Sequence, residues 1–308
     1  MAETARWAVL LLAYGGPDSL DDVEPYVLDV RGGRPTPRRI LDELRQRYAA
    51  IGGASPLLRR TREQAAALEA RLDPPCRVYV GMRHWHPYIR DVLATMRDDG
   101  VERAVAIPLA PHFSRLSIGA YERAVEEARG TLDVAVVRQW HDHPAFLDAV
   151  AERVRTALGT FPERVRAQVQ LLFTAHSLPR RILADGDPYV GQLHASVAGV
   201  LERLGCDPGR ANVAFQSAGR TQEPWLEPDA ADEIRRLARE GVRYVLLCPI
   251  GFVSDHLEVL YDVDIEYQAM AAGLGAQLAR SASLNTSPHL IEALADLATS
   301  TAAARGWP

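Results

Sequence analysis

The sequence predicts an α/β fold built from two similar doubly wound domains with parallel sheets. Three observations predict it. Eight short apolar runs alternate with longer amphipathic stretches of helical period. The runs are apolar throughout rather than at every second residue, the signature of strands covered on both faces. Finally, the motifs of the first half recur, in order, in the second.

The strands are expected, in chain order, at AVLLLAY from Ala8, RVYVGM from Arg77, AVAIPLA from Ala104 and VAVVRQ from Val134. The second half supplies VQLLFTAH from Val169, NVAFQS from Asn212, YVLLCPI from Tyr244 and LARSASL from Leu278. VLLLAYGGP parallels LLFTAHSLP, YVGMRHWHP parallels AFQSAGRTQEP, and VERAVAIPLAPHFS parallels GVRYVLLCPIGFVS. Two copies of one Rossmann-like unit follow, residues 1–150 and 151–308. No low-complexity linker separates them, and the boundary falls near the helix expected over HPAFLDAVAERVRTAL. In such sheets ligands bind beyond the carboxyl ends of the strands. Tyr14, Arg83, His84, His112, His176 and His256 all follow such ends, so one cleft is expected to gather them.

Composition narrows the function classes. Of 308 residues, 47% are hydrophobic and 24% charged, ordinary globular values. A formal net charge of −5 leaves no basic surplus for binding a phosphate backbone, so no nucleic-acid partner is expected. The apolar run near the N-terminus is too short to span a bilayer and reads as a buried strand. Three scattered cysteines, Cys76, Cys206 and Cys248, supply neither a disulfide framework nor four thiolates for an iron–sulfur cluster, and the expected setting is a reducing cytoplasm.

The chemistry concentrates in GFVSDHLEVLYDVDIEY. On a helix, Glu258, Asp262 and Glu266 share one stripe, with Asp255 nearby, beside an apolar stripe of Val259, Leu260, Val263 and Tyr267. Like charges at that spacing repel, so a helix gains nothing from them by itself, and a compensating partner is one explanation of the stripe. With His176 from LLFTAHSLP, Glu258 forms a nitrogen–carboxylate pair suited to a divalent first-row metal. The plain alternative is a histidine satisfied within the fold beside a solvated acidic face. Arg31, Arg34 and Arg47, with Ser55 in IGGASPL, could hold an anionic ligand, although surface arginines on helices are commonplace. No G-x-G-x-x-G, phosphate-loop or G-x-S-x-G motif is present.

Taken together, LLAYGGP, RYAAIGGASPL, FTAHSLP, FQSAGRTQEPWLEPD and CPIGFVSDHLEVLYDVDIEY closely resemble ferrochelatase, the enzyme that inserts ferrous iron into a porphyrin. The likeness runs in order over nearly the whole chain, and five long motifs in register are far more specific than one. The resemblance implies a chelatase-like fold around a central porphyrin cleft. It places His176 and Glu258 at the catalytic and metal-binding centre, opposite Tyr14 across the porphyrin plane. Asp262 and Glu266 correspond to an acidic row proposed to feed metal inward. Arg31, Arg47, Ser55 and Tyr121 match positions around the macrocycle and its carboxylates, and Arg83 with His84 matches a basic pair near the cleft mouth.

The resemblance further implies a lyase of haem biosynthesis, with porphyrin and Fe²⁺ as substrates and no separate cofactor or cluster, and a monomer is expected. Tyr14 in AYGGP resembles the coproporphyrin III-using enzymes of monoderm bacteria, whose product is coproheme III. Protoporphyrin IX is the alternative substrate. A cobalt or sirohydrochlorin chelatase and a non-catalytic tetrapyrrole-binding protein are the more distant readings. HSLPRRI is more basic, and MRHWHP richer in aromatic and histidine side chains, than the monoderm pattern.

Overall fold

The computed structural model describes residues 7–73, 76–219 and 221–307; Arg220, inside the FQSAGRTQEPWLEPD motif, lies outside them. The first half runs β1 (Ala8–Ala13), α1 (Val23–Val30), α2 (Arg38–Ala50), α3 (Leu57–Arg71), β2 (Val78–Met82), α4 (Ile89–Asp98), β3 (Arg103–Pro108), α5 (Ile118–Ala128) and β4 (Asp133–Val136). Helix α6 (Pro144–Gly159) and the short α7 (Glu163–Arg166) lead onward. The second half runs β5 (Gln170–His176), α8 (Tyr189–Leu204), β6 (Ala211–Gln216), α9 (Ala230–Arg239) and β7 (Tyr244–Cys248). A π-helix (Glu258–Tyr267), α10 (Gln268–Gly273), β8 (Gln277–Arg280) and α11 (Pro288–Ala304) complete it.

The two sheets have the same topology. Strand order is β2-β1-β3-β4 in one and β6-β5-β7-β8 in the other, and each pairing is parallel. All eight expected strands form. The ladder ends early at Val136 and Arg280, so the VRQ of VAVVRQ and the SASL of LARSASL continue as irregular chain.

Period-two alternation decides how each apolar strand is covered. In β1, Val9 and Leu11 enter a large central core while Ala8, Leu10 and Leu12 enter a separate outer one. In β5, Leu171, Phe173 and Ala175 face that same central core and Leu172 faces a third cluster. The central core therefore lies between the sheets and is filled by α6, α8 and α11. Helix α11 packs against both α6 and α3, carrying the end of the chain back to the first half. Position 150 lies within α6. The helices obey the usual spacing; in α4, Ile89, Val92, Leu93 and Met96 form the buried stripe.

One glycine sets the geometry where chemistry is expected. Gly251 follows β7, its N–H donates to the Thr174 carbonyl at 3.1 Å, and a Cβ there would stand 2.6 Å from the Ala175 Cβ. Only glycine lets that turn touch β5 just before His176. Gly251→Ala is therefore expected to destabilise the fold by roughly 1–3 kcal/mol, the usual cost of overpacking. A denaturant melt would check this, and an unchanged midpoint would show that the turn yields freely.

Candidate active site

The carboxyl ends of both sheets open on one cleft of about 1240 Å³. That exceeds a drug-sized pocket and suits a large flat ligand. Tyr14 and His176 hold equivalent places in the two copies, the first residue past Ala13 of β1 and the last residue of β5, and both line the cleft. The internal repeat thus delivers a phenol from one domain and an imidazole from the other.

The His176 ring is fixed at both ends. Its Nδ1–H donates to the Ser177 carbonyl at 2.5 Å, which turns Nε2 toward Glu258 Oε1 at 3.5 Å. The Tyr189 hydroxyl donates to the His176 carbonyl at 2.9 Å and holds the strand end still. Glu258 begins the π-helix and stands between two imidazoles, because His256 Nε2 lies 3.9 Å from its Oε2. His256 is oriented as His176 is, its Nδ1 bonded to the Ser254 carbonyl at 3.0 Å.

Electrostatics follow from this arrangement. Burial by itself would lower the His176 pKa, but the Glu258 carboxylate and the Ser177 carbonyl outweigh it and the net shift is upward. Burial alone would raise Glu258; the two imidazoles overcome it and hold the carboxyl far below its ordinary range. The pair thus favours imidazolium and carboxylate together.

The acidic stripe forms as the spacing predicts, on a wider i→i+5 helix rather than an α-helix, and π-helical turns recur at functional sites. Glu258, Asp262 and Glu266 all face the cleft. Val259, Val263 and Tyr267 are buried beside them. The compensating partner is Arg47 of α2, whose guanidinium pairs with Asp262, stands 3.9 Å from Glu266 and stacks 4.6 Å above the Tyr261 ring. The Ser217 hydroxyl donates to the other Asp262 oxygen at 2.8 Å. Burial pushes the Asp262 carboxyl up to about 6 against the pull of Arg47, and Glu258 and Glu266 add to that rise.

Other predicted residues are placed differently. Ser55, Arg83 and Tyr121 line the cleft, with the Arg83 guanidinium 5.8 Å from the Tyr14 ring centre and 5.9 Å from that of Tyr121. His84 stands behind Tyr14, ring centres 4.7 Å apart, with Nδ1 bonded to Asp29 at 2.8 Å. Burial lowers its pKa, and Arg83 adds to that. Arg31 is exposed outside the cleft wall; it and Arg34 donate to each other's carbonyls, and neither has a carboxylate partner among the described residues. Asp255, near the acidic row in sequence, accepts a hydrogen bond from Asn285 Nδ2. Among the described residues no three His, Cys, Asp or Glu side chains converge as a metal chelate, so the row is a series of separate stations. His112 lines the cleft, buried and bonded to Ser196 Oγ at 2.9 Å.

Sequence reasoning placed His256 near the cleft but not beside Glu258, and it did not single out Tyr26, Tyr48, Tyr189 or Trp225, which also line the cleft. Their positions after strand ends or on helix faces carry no signal that separates them from core aromatics. For His256, standing two residues before Glu258 in the turn was such a signal.

Comparison with known proteins accounts for the arrangement. The protein-family model described as Ferrochelatase matches residues 6–302. A protein named "Ferrochelatase" from Herpetosiphon aurantiacus is 44% identical over 305 residues, covering 96% of this chain and 99% of that one. A protein named "Coproporphyrin III ferrochelatase" from Geobacillus kaustophilus is 43% identical over 298 residues and covers 94% of each. Among solved structures, SirB from Bacillus subtilis with Fe³⁺ superposes with a TM-score of 0.63 at 11% identity, covering 97% of both chains, a likeness of fold. No helix of the described residues is long and apolar enough to cross a membrane.

Removing Arg47 should release Asp262 from the guanidinium that pairs with it. In Arg47→Met the Asp262 carboxyl is expected to titrate above about 6, read by carboxyl-carbon NMR; an unmoved or lowered value would show that the guanidinium does not hold it.

Proposed function

The chain belongs to the ferrochelatase family, lyases that insert a metal into a porphyrin, and we propose that its substrates are Fe²⁺ and coproporphyrin III, giving coproheme III. One observation carries the reading: a hydrogen-bonded imidazole and a depressed carboxyl, 3.5 Å apart, line a cleft large enough for a tetrapyrrole, with a phenol at the matching position of the other domain.

Metallation replaces two pyrrole N–H bonds with metal–nitrogen bonds and releases two protons. In its neutral form, with Nδ1–H committed to a carbonyl, His176 offers the Nε2 lone pair to one of them, and Glu258, which favours the imidazolium, stabilises the product of that transfer. His256, on the other side of Glu258, provides a second nitrogen. Glu266 at the exposed end and Asp262 further in give a hydrated cation successive oxygen partners on its way to the ring. Since Asp262 is held by Arg47 and Ser217, its exchange requires the guanidinium to move.

Preference for coproporphyrin III is supported by Tyr14 at the cleft, by exposed Arg31 and Arg34, which have no carboxylate partner among the described residues and stand beside a cleft wall that includes Val30, and by relatives bearing that substrate in their names. Four propionates need more cations than two, and guanidinium–carboxylate pairs serve that need.

The purified protein is expected to metallate coproporphyrin III with kcat/KM at least tenfold above protoporphyrin IX, and Arg31→Ala with Arg34→Ala should narrow that ratio through KM. Equal kcat/KM for the two porphyrins would remove the substrate assignment and leave the family's reaction intact. His176→Ala should cost about 10²–10⁴ in kcat, the usual contribution of a general base.

A further inference from the structure

The loop that carries His256 and Glu258 is held by the opposite domain. From α3, the fully buried Gln64 donates through Nε2 to Ser254 Oγ at 2.9 Å and to the Asn285 carbonyl at 2.8 Å. Asn285 closes the other side. Its N–H donates to the Val253 carbonyl at 2.8 Å, its Nδ2 to Asp255 Oδ2 at 2.8 Å, and its Oδ1 accepts from the Asp255 N–H at 3.1 Å. Arg60, also on α3, lies 3.6 Å from the same Asp255 oxygen. Asn285 does this at φ +45°, a left-handed conformation that asparagine and aspartate tolerate better than most side chains.

Stability alone does not explain this choice of residues. The Gln64 Oε1 is buried without a partner, as is Arg60 Nε, so both side chains are held with a polar atom unsatisfied. An apolar residue of similar volume would fill the space without that penalty. What the polar contacts do provide is direction. The Ser254 carbonyl that orients His256 belongs to the residue whose hydroxyl Gln64 grips, and Glu258 starts its helix two residues after His256.

We propose that Gln64 and Asn285, acting through Ser254 and Asp255, are positioning residues that set the His256–Glu258 geometry for metal insertion across the domain interface. The proposal rests on the role given to Glu258 above. It makes catalytic competence depend on the seating of α3 from the first domain against a loop of the second.

The test exploits the reciprocal Asp255–Asn285 pair. Asn285→Asp sets two carboxylates against each other, whereas combining it with Asp255→Asn restores an amide–carboxylate pair with the roles exchanged. Steady-state metallation, porphyrin affinity by fluorescence quenching and thermal midpoint are measured for the wild type, Asn285→Asp, the double variant, Gln64→Met and Glu258→Gln. The expected result is a kcat at least tenfold lower in Asn285→Asp and in Gln64→Met, with porphyrin affinity within twofold of wild type and recovery to within threefold in the double variant. A kcat within twofold of wild type in Gln64→Met overturns the proposal. So does a double variant that is folded but no more active than Asn285→Asp. If Asn285→Asp fails to fold, Gln64→Met and the double variant, each against wild type, decide by the same thresholds. Wild-type turnover in Glu258→Gln would instead refute the role of Glu258, a failure distinct from that of the clamp.

Discussion

The contact between the His176 imidazole and the Glu258 carboxylate is the interaction on which the rest of the site depends. The two residues come from the end of β5 and from the helix after β7, adjacent strands of one parallel sheet. Strand pairing therefore brings them together. The close turn at Gly251, the Ser177 carbonyl and the Tyr189 hydroxyl then remove the remaining freedom. An ion pair beside a cleft gains little when its partners are mobile. Here both side chains border open space yet lie deep between two domains, so desolvation is large, and only their mutual attraction keeps both charged forms accessible.

Charge compensation extends outward from that pair. Glu258 is balanced by two imidazoles, Asp262 by Arg47, and the exposed Glu266 by water and the same guanidinium at longer range. The opposite wall presents the phenols of Tyr14 and Tyr121 around Arg83. A flat macrocycle placed between these walls would meet carboxylates on one face and aromatic rings with a cation on the other. That asymmetry fits a reaction in which a dication enters and protons leave. The same family fold carries both walls because a duplicated unit places its strand ends face to face.

Much of this was legible in the amino-acid order. Apolar strands such as LLLA and LLFTA read directly because both their faces are buried, and the matching order of motifs anticipated the matching strand order. The pairing of His176 with Glu258 was readable from strand ends and from the family motifs. The pairing of Arg47 with Asp262 was not, since 215 residues separate them and nothing local distinguishes Arg47 from neighbouring surface arginines on α2. The π-helical pitch was equally hidden, because a four-residue acid spacing fits a wide helix as well as an α-helix. Asp255, expected only near the acidic row, is engaged by the Asn285 amide and two arginines whose positions only the tertiary fold supplies.

The most direct test of the central interaction is the titration of His176 followed by imidazole NMR in the wild-type protein and in Glu258→Gln. With the carboxylate present the pKa lies above the ordinary value of about 6.5. Without it, burial is left opposed mainly by the Ser177 carbonyl, and the account predicts a fall below about 6.5. An unchanged pKa in the variant would contradict the coupling from which the account begins.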